Sequence, residues 1–92
     1  MKHSIVQTEE ERCYLTGSTI NLDKHHIFNG SCRKHAEEDG LFVYLNHNIH
    51  MYLHQTGEGR QKMNELKAIG QRAYEKNHSH EEFLRRYHKN YV

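Results

Sequence analysis

The stretch that decides the fold is LDKHHIFNG, residues 22–30, which places two histidines side by side. Apolar and β-branched neighbours favour a strand here, and Asn29-Gly30 is a typical turn pair. Neighbouring side chains of a strand point to opposite faces, so His25 and His26 cannot both be ordinary core residues of a one-sided sheet. The pair therefore predicts that at least one imidazole has a chemical role.

The segments after this strand predict an α+β domain. A short helix is favoured within residues 31–40, since this polar stretch closes on a glycine. Hydrophobic periodicity then predicts one strand and three helices, at residues 41–45, from 46 to about 57–59, from about 60 to 76, and from 79 onward. Ser79 and Glu82 have the S-x-x-E spacing of a capping box, which marks the start of the last helix.

The helix after the second strand carries histidines at metal-binding spacing. His50 and His54 are four residues apart, so they lie on one face, one turn above each other. Two imidazoles placed in this way can chelate a single ion, by the same geometry as in H-E-x-x-H zinc sites. His47 lies three residues before His50 and could replace one of the two, so its role stays open.

Composition limits the classes of function. The chain has 92 residues, of which 35% are hydrophobic, so one small domain with a thin core is expected. Thirteen Lys and Arg against 12 Asp and Glu give no large net field that would attract nucleic acid or a membrane surface. Histidine is enriched, at ten residues, and is the commonest metal ligand and general base.

The N-terminal region points to a location and a domain boundary. Residues 1–12 are polar and predict an arm, loose or briefly helical, before a single domain at residues 13–92. The arm has no apolar signal-peptide segment and no run is long enough to cross a membrane, so a cytoplasmic protein is expected. Cys13 and Cys32 would then stay reduced.

These motifs resemble the HNH nucleases, also called ββα-metal or His-Me finger nucleases, and most closely the short phage-encoded proteins related to the RecA-dependent nuclease Ref. The similarity lies in LDKHHIF, RKHAEEDGLFVYL, LNHNIHMYLH, AIGQRAYE and FLRRYHKNY, and it spans Cys13 to Tyr91. It implies a two-stranded hairpin crossed by a helix, followed by two C-terminal helices. It also implies a metal-dependent endonuclease that hydrolyses DNA.

The resemblance assigns roles residue by residue. His26 matches the general base that activates the attacking water. Metal ligands are matched by His25, His50 and His54, which would hold one divalent ion, Mg²⁺, Mn²⁺, Ni²⁺ or Zn²⁺. Basic residues close to the histidine pair are expected to contact the nucleic acid, and these are Lys24, Arg33 and Lys34.

The sequence departs from the family pattern in two places. Relatives have a zinc knuckle of four cysteines, whereas here Cys13 is followed by Thr16, Asn46 and Ile49 at the other three positions, so no structural zinc is expected. The family's middle asparagine is also missing near residues 40–41. Its hydrogen bonds would have to come from another asparagine, and the candidates are Asn29, Asn46 and Asn48.

Two other functions remain open from the sequence. The chain could be an inactive HNH-like module that binds DNA or protein, or a structural protein in which the ion replaces missing core. Retention of His26 favours the enzyme, because a binding module needs no base. With a thin core, apolar residues around Leu15, Ile20 and Ile49 are expected to be covered by a second copy, giving a symmetric homodimer.

Overall fold

A computed structural model of the protein describes residues 2–92. Strands β1 (Leu22–His26) and β2 (Phe42–Asn46) form an antiparallel pair in which His26 lies opposite Phe42. A short 3₁₀ turn (Gly30–Cys32) and one helix separate the strands, and three helices follow them. The helices are α1 (Arg33–Asp39), α2 (His47–Gln55), α3 (Gly57–Tyr74) and α4 (His80–Tyr87). The prediction of an α+β fold with a two-stranded hairpin is confirmed.

Side-chain caps set the ends of α2. Asn46 accepts a hydrogen bond from the backbone N–H of Asn48 at 3.0 Å, and its own amide donates to the Ile20 carbonyl at 2.9 Å. Of the three candidate asparagines, Asn46 is therefore the one that ties the segment before β1 to the start of α2. Thr56 is extended and ends α2, and its hydroxyl accepts from the Gly59 N–H at 2.8 Å, which starts α3. For this reason α3 begins slightly before the apolar periodicity that predicted it.

The C-terminal helix packs as its sequence predicts. Ser79 and Glu82 form the complete capping box, with the Ser79 hydroxyl accepting from the Glu82 N–H at 3.1 Å. Phe83 and Tyr87 are buried, and both contact the ring of Phe28, which follows β1. Helix α4 therefore closes the core over the loop that leaves the histidine strand.

The N-terminal segment is docked on the domain, which differs from the loose arm that its polarity suggested. The N–H of Ile5 donates to the Gly40 carbonyl at 2.9 Å, and the N–H of Tyr14 donates to the Tyr44 carbonyl at 2.8 Å. Gln7 is buried, and its side-chain oxygen accepts from the Tyr44 N–H at 2.8 Å. The two bonds to Tyr44 satisfy its backbone groups on the free edge of β2, which a two-stranded sheet would otherwise expose.

A close approach of α2 and α3 makes Gly59 a sensitive position. A Cβ atom there would lie 2.5 Å from both the Leu53 Cα and the Tyr52 carbonyl oxygen, whereas one at Gly57 would meet nothing within 4 Å. We expect Gly59→Ala to lower the free energy of unfolding by about 1–3 kcal/mol, and Gly57→Ala to leave it nearly unchanged. Urea denaturation of the two variants checks this. Equal midpoints would show that α2 can shift away from α3 without cost.

Some large apolar side chains stay exposed on the single chain. Leu15 is 37% exposed and Ile20 is 66% exposed, while Leu15 and Ile49 line one shallow groove with Leu53. The homodimer that would cover them stays a prediction. Among residues 2–92, no helix combines the length and apolar character needed to cross a membrane.

Candidate metal centre and adjoining cleft

Three histidines from two elements meet at one point. His25 projects from β1 and is 3% exposed, while His50 and His54 lie on successive turns of α2. The Nε2 atom of His50 lies 3.2 Å from the Nδ1 atom of His25 and 3.2 Å from the Nε2 atom of His54. All three ligand atoms are within 4.8 Å of one another. The predicted ligands are therefore close enough to bind one metal ion.

The spacing and protonation of this cluster fit a metal. Metal–imidazole bonds of about 2.1 Å place neighbouring ligand nitrogens roughly 3.0–3.4 Å apart, which the two 3.2 Å separations match. The set as a whole spans up to 4.8 Å, so a shared ion would draw its ligands closer together. Burial, together with the neighbouring imidazoles of His50 and His54, lowers the pKa of His25 to about 4. His25 is therefore neutral at physiological pH, which is the form that binds metals.

Asp23 orients the central ligand, a role that the sequence analysis missed. Its carboxylate accepts hydrogen bonds from the Nδ1 atoms of His50, at 3.1 Å, and His47, at 2.8 Å. With Nδ1 protonated, the lone pair on His50 Nε2 is directed at His25 and His54, as in carboxylate–histidine–metal arrangements. His47 is thus paired with Asp23 and lies outside the three-histidine cluster. The sequence does contain one feature that could have revealed this role: Asp23 precedes His25 by two residues and so shares its face of β1.

The low pKa of His25 predicts an acid-sensitive fold in metal-free protein. The unfolded chain binds a proton at His25 below about pH 6.5, whereas the folded chain resists it until about pH 4. The free energy of unfolding should therefore fall as the pH drops from about 6.5 to 4, by up to roughly 3 kcal/mol. Urea denaturation in EDTA at several pH values measures this loss.

The matched variant for this prediction is His25→Asn, which removes the titrating group. Its stability should change less between pH 6.5 and pH 4 than that of the wild type, whatever its stability at neutral pH. Identical pH dependence in the two proteins would show that His25 is not the group responsible.

His26 lies on the other face of β1, away from the cluster. Its Nε2 atom is 2.7 Å from a Glu37 carboxylate oxygen, and both oxygens of that carboxylate lie within 3.1 Å of the Lys24 Nζ. Hydrogen bonds from His26 and Lys24 lower the pKa of Glu37. The adjacent histidines therefore face different surroundings, as the strand alternation predicted.

An open cleft of about 470 Å³ brings His26 together with basic residues. Its lining consists of His26, Gly30, Ser31, Arg33, Lys34 and Glu37. Two of the three residues predicted to contact nucleic acid, Arg33 and Lys34, thus share a surface with the predicted base. Lys24 does not line this cleft, because its Nζ is 4.1 Å from the centre of the Phe42 ring and is paired with Glu37.

Cys13 is buried in the hydrophobic core and also takes part in hydrogen bonds close to the end of β2. Burial raises the pKa of its thiol, but hydrogen bonds involving the Thr16 side chain and the Asn46 backbone outweigh this effect and lower the pKa. Cys13 is buried and is not disulfide-bonded. It therefore contacts Thr16 and Asn46, which stand at two of the three positions where the sequence resemblance would expect further cysteines.

Comparison of the chain with protein-family models, curated proteins and solved structures finds no match.

Proposed function

We propose that the protein is a metal-dependent endonuclease of the HNH type, which hydrolyses DNA phosphodiester bonds with His26 as the general base. The observation that carries the proposal is the three-histidine cluster between β1 and α2. The adjacent His26 lies on the opposite face of β1, in a cleft with Arg33 and Lys34. Metal-assisted hydrolysis can use a bound ion together with a general base, and the cluster and His26 offer one candidate for each.

Each element of the site has a chemical task in this proposal. His26 takes the proton of the attacking water, because a neutral imidazole is suited to proton transfer near neutral pH. Arg33 and Lys34 bind the phosphates on either side of the reacting bond. The divalent ion, when bound, offsets the negative charge that develops on the phosphate. His25, His50 and His54 hold that ion between the hairpin and α2.

The ligand chemistry bears on the choice of ion. Three imidazoles favour Zn²⁺ or Ni²⁺, whereas Mg²⁺ and Mn²⁺ prefer oxygen ligands. We therefore expect Ni²⁺ and Zn²⁺ to bind more tightly than Mg²⁺, whichever ion supports the fastest cleavage.

The order of the elements and the surroundings of Cys13 support the HNH assignment. Strand, connection, strand and helix follow each other as in a ββα unit, and α2 carries both of its ligands on the face towards β1. Thr16 and Asn46 contact Cys13, so two of the three positions that would carry the other knuckle cysteines lie beside it.

A plasmid-nicking assay tests the proposal directly. Supercoiled plasmid is incubated with EDTA-treated protein, and then with Mg²⁺, Mn²⁺, Ni²⁺ or Zn²⁺ added back. Metal-dependent nicking that EDTA stops supports the proposal. No cleavage with any ion, or cleavage that EDTA does not affect, contradicts it.

A binding module without activity is the second candidate, because the lost knuckle cysteines are a change that an inactive relative would tolerate. Such a module would bind DNA through the same cleft and leave it intact. Binding without cleavage in the same set of metals would favour this reading.

Either function predicts a role for Arg33 and Lys34 in DNA affinity. Both side chains are exposed, so Arg33→Ala/Lys34→Ala should fold normally and bind DNA more weakly at every sequence. The slope of log affinity against log salt should fall by about 2, since each phosphate contact contributes about 1. Fluorescence anisotropy at several salt concentrations measures this. Arg72→Ala/Lys76→Ala serves as the control, because it removes two exposed charges away from the cleft, one on α3 and one just after its end. Equal losses in both variants would reject the assignment.

A further inference from the structure

We propose that Glu37 is a positioning residue for His26, and that Lys24 holds Glu37 in place instead of contacting the nucleic acid. The inference rests on the proposed function, in which His26 is the base. It gives a role to Glu37, which the sequence analysis did not select, and it gives Lys24 a different role from the nucleic-acid contact that the sequence analysis expected.

The contact between Glu37 and His26 fixes which imidazole nitrogen carries the proton. Glu37 projects from α1 and its carboxylate lies 2.7 Å from His26 Nε2. An ionised carboxylate can only accept, so His26 Nε2 is the donor. A neutral imidazole that is protonated at Nε2 has its lone pair at Nδ1. Nδ1 is therefore the nitrogen that can take a proton from water.

Lys24 is held by two contacts that keep it from the cleft. It lies two residues before His26 on the same face of β1, and its Nζ is 3.0 and 3.1 Å from the two Glu37 oxygens. The same Nζ lies 4.1 Å from the centre of the Phe42 ring, within the range of a cation–π contact. The ammonium group is thus paired on one side and stacked on the other. Its effect is to hold the Glu37 carboxylate against His26.

Phe42 completes the support of the base. It is fully buried and lies opposite His26 in the sheet, with the two ring centres 6.1 Å apart in an edge-on arrangement. Glu37 holds the His26 ring by a hydrogen bond, and Phe42 holds it by packing. Together they restrict the orientation of the ring. The His26 side chain is only 11% exposed, so few other orientations are open to it.

The first test reads the tautomer of His26 without using activity. Two-bond ¹H–¹⁵N correlation spectra of histidine-labelled protein distinguish a protonated Nε2 from a protonated Nδ1. We expect the Nε2-protonated form in the wild type, a mixture in Glu37→Ala, and recovery in Glu37→Gln, whose amide oxygen can still accept from Nε2. Glu38→Ala is the matched control, because Glu38 is the next residue of α1 and contacts His35 and Arg86 instead. An unchanged tautomer in Glu37→Ala would overturn the proposal.

The second test separates positioning from substrate binding. In the plasmid assay, Glu37→Ala should lower kcat by up to about 10²-fold, as misplaced catalytic groups do, with KM little changed and Glu37→Gln partly restoring kcat. Glu37 is 41% exposed, so its removal should leave the fold intact, which circular dichroism checks. Wild-type kcat in Glu37→Ala, in a preparation that His26→Ala inactivates, would overturn the positioning role. If the wild type does not cleave DNA, the proposed function is contradicted. The His26 tautomer in Glu37→Ala would still test whether Glu37 positions the ring.

Lys24→Met tests the role given to Lys24, since methionine keeps the packing on Phe42 and removes the charge. If Lys24 holds Glu37, the variant lowers kcat and alters the His26 tautomer while DNA affinity stays the same. If Lys24 contacts phosphate, the variant weakens DNA binding, reduces its salt dependence by about one ion, and leaves the tautomer unchanged. The second result would overturn the role given to Lys24.

Discussion

His26→Ala is expected to lower cleavage by about 10²–10⁴-fold, the range typical for loss of a general base. Metal affinity should stay close to the wild-type value, because His26 lies on the face of β1 opposite the three-histidine cluster. The fold should also persist, since the His26 ring packs against Phe42 at the edge of the core and takes no part in the cluster or in α2. Single-turnover cleavage rates, together with metal titration by calorimetry, measure the two effects on the same preparations.

A matched control guards against contaminating nuclease. His35→Ala removes another histidine near the cleft, on α1, but His35 pairs with Glu38 and does not line the cleft. It should therefore cleave at the wild-type rate. Equal cleavage by wild type and His26→Ala would mean that the base is wrongly assigned or that the activity comes from another protein. Recovery of His26→Ala by added imidazole would strengthen the assignment further.

The sequence predicted those parts of the fold that depend on short-range residue patterns. Alternation around His25 and His26, the apolar run of β2 and the four-residue spacing of His50 and His54 are all short-range signals. Each of them needs only the geometry of a strand or a helix to be interpreted. The capping box of α4 is also local, and it was predicted correctly for the same reason.

The parts that the sequence did not predict depend on contacts between distant residues. Gln7 binds the edge of β2 across 37 positions, and its own neighbours give no sign of a partner. Asp23 acts on His50, 27 residues further along the chain. Glu37 lies in a polar helix where an acidic residue is ordinarily solvated, and only the packing of α1 beside β1 brings it to His26. Periodicity cannot register such pairs, because each member looks ordinary by itself.

Binding of a metal ion is expected to raise the stability of the fold substantially. The imidazoles of His25 and His54 converge on His50, whose Nε2 is 3.2 Å from a ligand nitrogen of each. His50→Ala should therefore remove the central ligand and abolish tight binding. In the wild type, metal at about 100 times its Kd should stabilise the fold by about 2.7 kcal/mol. For a domain of this size that is a rise in melting temperature of roughly 10–20 °C, which His50→Ala should lose.

His47→Ala is the variant that separates a catalytic from a structural metal site. His47 belongs to the same helix and shares the Asp23 carboxylate with His50, so its removal disturbs the same surroundings without removing a cluster ligand. We expect it to retain most of the metal-induced rise in melting temperature. Three protein ligands leave a coordination position free for a phosphate oxygen, as catalytic sites do, whereas four close the shell. If His47→Ala abolished the rise as completely as His50→Ala, His47 would be a fourth ligand, and a structural ion would explain the cluster better than a nuclease.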